Sequence, residues 1–163
     1  MTSNSRRRYS NSTGRVAEVR FVRAAENLGI EVTKSSRQDD IYNHVDYWLT
    51  HDDKRCGVDV KGNNLPDEIW VELKNVQGNN GWLFGGAKII AFDMPEEHGF
   101  SIVDRLELKE WVDQNVGKEV VEKKNAYRKL YQRKDRSDII TRLILEDIKS
   151  LNSYRVWKYF LDY

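Results

Sequence analysis

The sequence predicts a mixed α/β (α+β) fold, with a mixed central sheet flanked by helices. Three observations carry that expectation. Helical periodicity begins after Thr13 and runs to Gly29. Short apolar segments of period two follow, separated by clusters of Gly, Pro, Asn and Asp. Helical spacing then returns over residues 106–116.

Thr13 is a candidate N-cap for the first helix, and Gly29 a candidate C-terminal cap. At about 100° per residue, Phe21, Val22, Ala25 and Leu28 fall on one face. Arg15, Arg20, Arg23, Glu26 and Asn27 fall opposite. Residues 30–34 read as a first strand and residues 38–43 as a loop. Residues 45–50 alternate, with Val45, Tyr47 and Leu49 to one side and Asp46 and Trp48 to the other. A polar turn at 51–55 leads to a strand at 57–61, with Val58 and Val60 opposite Asp59 and Lys61. A turn containing Pro66 precedes a strand at 69–76, on which Glu72 and Lys74 share a side. Residues 78–86 hold four of the ten glycines around Trp82. Strands are expected at 88–92 and 100–103. Residues 139–145 fit strand or helix equally, because a short apolar run does not distinguish them.

The 163 residues suit one domain, divided into a basic flexible arm (1–13), a core (14–116) and a basic, aromatic extension packed on it (117–163). With 27 Lys+Arg against 26 Asp+Glu the net charge is +1, so any affinity for nucleic acid must come from where the charges sit. A single cysteine, Cys56, excludes an intramolecular disulfide framework and a cysteine-based zinc site. No apolar run approaches the roughly 18–20 residues of a membrane span. Arg6, Arg7 and Arg8 are followed by no apolar stretch, so the N-terminus is not read as a secretory signal. The expected location is cytoplasmic, that of a host cell if a phage encodes the chain.

Three acids stand where acids are disfavoured. Glu18 falls near the middle of the apolar face of the first helix, and Asp46 and Asp59 interrupt apolar strands. Asp59 and Lys61 point the same way. Gathering buried like charges is expensive without a compensating cation. Oxygen ligands and few histidines favour Mg²⁺, with Mn²⁺ as the substitute, over zinc. The chemistry that suits such a group is phosphodiester hydrolysis: a divalent ion holds a phosphate oxygen and acidifies a water, and Lys61 offsets the charge that builds up.

The residues Glu18, then Asp46 in HVDYWLT, then Asp59-Val60-Lys61 in GVDVKG resemble the PD-(D/E)xK nuclease superfamily. Their spacing is similar to that of archaeal-type Holliday junction resolvases. The resemblance covers residues 13–93. It implies a restriction-endonuclease-like αβββαβ core and a Mg²⁺-dependent endodeoxyribonuclease leaving a 5′-phosphate. Asp46 and Asp59 would ligate metal, with Glu18 completing the site and Lys61 assisting the nucleophile. Many members act as homodimers, and the aromatic C-terminus is a candidate contact. The sequence departs from the motif in having Val45, not proline, before Asp46. A second frame joins Asp59 to Glu72 and Lys74 on the next strand.

Basic residues with interleaved tyrosines, Lys123, Lys124, Arg128, Lys129, Arg133, Lys134 and Arg136 beside Tyr127 and Tyr131, suit phosphate contacts plus stacking. A solvated helix face is the plainer explanation. With Arg6, Arg7 and Arg8 they are the candidate nucleic-acid anchors. DNA is the expected partner and RNA the second candidate. The alternative to an enzyme is a non-catalytic nucleic-acid-binding protein with a decayed nuclease fold.

Overall fold

A computed structural model of the chain describes residues 3–62, 65 and 67–160, with side chains from Gly14 onward. Helix α1 (Ser3–Asn27) is followed by strand β1 (Glu31–Lys34), helix α2 (Arg37–Asn43) and strands β2 (Tyr47–His51), β3 (Lys54–Lys61) and β4 (Ile69–Lys74). Strands β5 (Ile89–Met94) and β6 (Gly99–Asp104) lead into helix α3 (Arg105–Asn115). The chain ends through β7 (Leu130–Tyr131), β8 (Ile139–Leu143), helix α4 (Leu145–Lys149) and β9 (Arg155–Lys158).

The main sheet has the order β1-β2-β3-β5-β6-β9, and all its pairs are antiparallel except β3–β5. The β2–β3 hairpin closes through two residues, Asp52 (φ 48°) and Asp53 (φ 62°). Positive φ at both positions is the primed turn that matches the twist of paired strands. The parallel partner, β5, requires a crossover. The chain makes it through β4 and a short 3₁₀ turn, Trp82–Phe84, with no α-helix in that connection.

Helix α1 covers one face of the sheet. Ala17, Phe21, Ala24 and Ala25 are fully buried against Leu49, Val58, Val60, Ala91 and Phe100. The buried stripe is thus turned from the expected one: Leu28 is half exposed, and Arg20 reaches inward to Asp93. Alanines win the contact because they let the helix backbone approach the sheet around the Phe21 ring. Gly29, at φ 75°, ends the helix as expected. The helix starts at Ser3, not after Thr13, and its backbone takes in residues 3–13. Once α1 is nucleated on its packed residues, each further turn is inexpensive.

The opposite face is covered by a second, three-stranded sheet of order β4-β8-β7, together with α3 and α4. Ile69, Val71, Leu143, Leu108 and Val112 pack there on Ile90, Phe92 and Val103. The segment 139–145 resolves as a strand running into a helix. Residues 118–136 form no α-helix, and their backbone is turns, a short 3₁₀ turn and β7.

Part of the aromatic C-terminal segment packs into the fold. Trp157 stacks on Phe21 at 5.9 Å, and buried Tyr159 meets Phe100 edge to face at 5.6 Å. Tyr159 Oη donates to Asp93 Oδ1 at 2.8 Å, while Arg20 donates to Asp93 Oδ2 at 3.2 Å. The extension therefore completes both sheets, and Trp157 and Tyr159 are engaged within the fold while Phe160 stays 55% exposed. Tyr159→Phe leaves the buried Asp93 with Arg20 as its remaining partner. We expect a loss of roughly 1–3 kcal/mol in urea unfolding; an unchanged midpoint would show that the bond contributes nothing. Among the described residues no helix is long and apolar enough to cross a membrane.

Candidate active site

Asp46 stands immediately before β2 and is fixed against β3 by its backbone and its side chain. Its N–H donates to the Val58 carbonyl at 2.8 Å, and its Oδ2 accepts from Val60 N–H at 2.7 Å. That grip needs no proline at position 45, where Val45 is instead buried in the core. Asp59, in mid-β3, is 3% exposed. Its Oδ1 lies 3.0 Å from the Lys61 ammonium, and its buried Oδ2 makes no hydrogen bond. The Lys61 ammonium also sits 5.1 Å from the centre of the Trp82 ring.

These residues line an open, polar cavity of about 410 Å³ between the middle of α1, α2 and the ends of β2 and β3. Glu18 lines it from the flank of the α1 stripe, not its middle, 3.5 Å from the Lys34 ammonium. Lys34 in turn lies 4.7 Å from the Tyr47 ring centre. The structure thus brings together Glu18, Asp46, Asp59 and Lys61 from three elements.

His44 also lines the cavity, as do Asp40 and Arg15, which were not expected there. Asp40 belongs to α2, the segment read from sequence as a loop. Helix α2 buries no residue, so it has no apolar periodicity to read. It is held by its ends: Ser36 Oγ accepts from Asp39 N–H at 3.1 Å, and His44 closes the helix at φ 54°. The Ser36-x-x-Asp39 spacing was the available signal.

The electrostatics are those of crowded, dehydrated carboxylates. Burial, then the charge of Asp59, pushes Asp46 up to about 6, against the opposing Val60 N–H bond. Burial also raises Asp59, opposed by Lys61. Asp40 is raised by burial and by its proximity to Asp46. An unpartnered buried carboxylate oxygen beside a second raised aspartate, with the Val60 backbone in the same wall, suits a hard divalent cation. Among the described residues no three His, Cys, Asp or Glu side chains already converge on one point. A cation would therefore rest on the two aspartates, with backbone oxygen and water completing its shell.

The second frame does not reach the cavity. Glu72 and Lys74 lie on β4 in the other sheet, with a bulge between them. Gly81 is pressed onto Glu72: a Cβ there would sit 2.5 Å from the Glu72 carbonyl oxygen. Arg6, Arg7 and Arg8 have side chains outside the described residues. Within the basic segment, Arg128 pairs with buried Asp147 at 2.5 Å and Arg133 with buried Asp138 at 2.5 Å. Lys124 and Lys129 each lie 3.5 Å from a glutamate, Glu122 and Glu119. Lys123 and Lys134 border a separate open groove, and Arg136 lies in the loop that follows. The chain matches no protein-family model, no curated protein and no solved structure.

Proposed function

We propose that the protein is a metal-dependent endonuclease that hydrolyses DNA phosphodiester bonds on a restriction-endonuclease-like core. One observation carries the reading: Asp59, buried beside Asp46 and 3.0 Å from Lys61, keeps an unbonded carboxylate oxygen at the wall of a polar cavity. A stability role alone would favour apolar residues here, because isolated buried carboxylates destabilise a fold. The element order supports the same reading: a helix precedes three antiparallel strands, the third of which has a parallel neighbour. The connection through β4 rather than a helix is this chain's own variation.

Asp46 and Asp59 would hold the divalent ion, which when bound supplies Lewis-acid polarisation of the phosphodiester and a more acidic water. Lys61 carries its positive charge to the same point and offsets charge developing on the phosphoryl oxygens. Glu18 orients the attacking water from the α1 side. Lys34 is held protonated by Glu18, Tyr47 and Asp46, although its partial burial acts the other way. It screens the carboxylates from an incoming phosphate.

The test is incubation of purified protein with plasmid, forked and four-way-junction DNA, and with RNA, in Mg²⁺ and in chelator. We expect cleavage in Mg²⁺ alone. Cleavage that persists in chelator overturns the mechanism, and binding without cleavage under any condition favours a decayed, non-catalytic nuclease fold.

A further inference from the structure

The outer face of the second sheet carries a set of side chains that the core does not use. Its inner face is Ile69, Val71, Thr141 and Leu143, all buried. In register beside them, Trp70 faces Arg142 across β4–β8, and Tyr131 faces Ile140 across β8–β7. Residues directly opposite share a face, so Trp70, Arg142 and Tyr131 lie together on the outer side, with Ile140 and Glu72 in the neighbouring row. The Trp70 and Tyr131 rings are 6.2 Å apart, and Arg142 makes no ion pair among the described residues.

Shared lining residues link this face to the acidic cavity at one end and to a groove at the other. Lys61, at the wall of the acidic cavity, also lines a second cavity of about 310 Å³ together with Trp70, Ile69 and Phe92. The Trp70 indole is braced there by its Nε1–H donating to Glu68 at 2.7 Å. At the far end, Tyr131 lines an open groove of about 670 Å³ bordered by Lys123 and Lys134. Glu119 and Glu122 also border that groove, but Lys129 and Lys124 stand beside their carboxylates. Aromatic faces spaced with uncommitted cations, beginning at a phosphodiester site, are the elements of a single-strand track. Bases stack on the rings and the cations follow the backbone.

We propose that an unpaired strand of nucleic acid leaves the acidic cavity past Lys61, crosses Trp70, Arg142 and Tyr131, and enters the groove at Lys123 and Lys134. The inference rests on the nuclease reading for its starting point, and it names the substrate as one with a single-stranded segment. The occupant is a strand rather than a duplex because only unstacked bases present their faces to rings.

Fluorescence anisotropy in chelator tests this apart from cleavage. The probes are a labelled oligothymidine of roughly a dozen nucleotides, the matching oligouridine, and a blunt duplex of equal length. Trp70→Ala and Tyr131→Ala should each weaken oligothymidine binding by roughly tenfold and leave the duplex unchanged. Arg142→Gln should lower the salt slope by about 0.7. Trp70→Leu keeps an apolar side chain against Tyr131 but removes the ring face. It should melt as the parent does and still bind the strand weakly. Oligouridine bound as tightly as oligothymidine extends the track to RNA. Parental affinity in the Trp70 and Tyr131 variants, or a loss falling equally on strand and duplex, overturns the proposal. Because the readout is binding without metal, an absence of Mg²⁺-dependent cleavage would strike the nuclease reading and leave this result standing.

Discussion

Asp59→Asn removes Mg²⁺-dependent cleavage, by about a thousandfold or more, while the protein melts at or above the parental temperature near neutral pH. The first half follows from chemistry. An amide at position 59 takes away one of two anionic ligands, and Lewis-acid stabilisation of a phosphoryl transition state amounts to several kcal/mol, on the order of a thousandfold in rate. The second half follows from burial. The Asp59 carboxylate is 3% exposed, has one unsatisfied oxygen and lies beside the raised Asp46. An amide of the same shape removes a buried charge and gains an N–H that can donate toward Asp46. Plasmid nicking read with a thermal melt checks both. If Asp59→Asn were destabilised and still active, the carboxylate would be a structural ion pair with Lys61 and the site would lie elsewhere.

In chelator, the protein loses stability as pH rises from about 4 to about 7, and Mg²⁺ restores it mainly in the upper part of that window. Asp46 rises from its ordinary 3.8 to about 6 in the folded state. The unfolded chain releases this proton near the ordinary value. The folded protein is therefore favoured while both states are protonated, and that advantage drains away as pH rises through the folded value. The shift corresponds to roughly 2–3 kcal/mol, or about 5–10 °C in melting temperature for a chain of this size. Protons compete with the cation for the same oxygens, so Mg²⁺ stabilises less at pH 5 than at pH 7.5. Asp46→Asn should flatten the profile. A metal-free profile that Asp46→Asn leaves unchanged would show that Asp46 does not carry this dependence.

Asp46 and Asp59 were legible because they are acids in apolar segments whose neighbours Val45, Val58 and Val60 are core, and Lys61 because it shares a side with Asp59. The hairpin between them was legible because Asp52-Asp53 follows one alternating run and precedes another. Glu18 was legible as an acid among apolar helix residues, although its true place is the flank. Asp40 was missed because α2 buries nothing, and periodicity reports only buried faces. The role of Arg128 and Arg133 was hidden because their counter-charges, Asp147 and Asp138, are recognisable as buried only once β8 and α4 are in place. The fate of Glu72 and Lys74 turned on which sheet β4 joins, and a strand's own pattern carries no record of its partner.

The bond from Tyr159 to Asp93, shared with Arg20, sets an order on the making of the molecule. Helix α1 and the residues that seat it, Trp157 and Tyr159, are far apart in the sequence. Loops that long close slowly, and their contacts form after local hairpins. The wall bearing Glu18 is therefore secured only once these distant contacts have formed. A folding intermediate with the β2–β3 hairpin alone would carry Asp46, Asp59 and Lys61 without the helix that finishes the cavity, so the cavity takes shape late in folding.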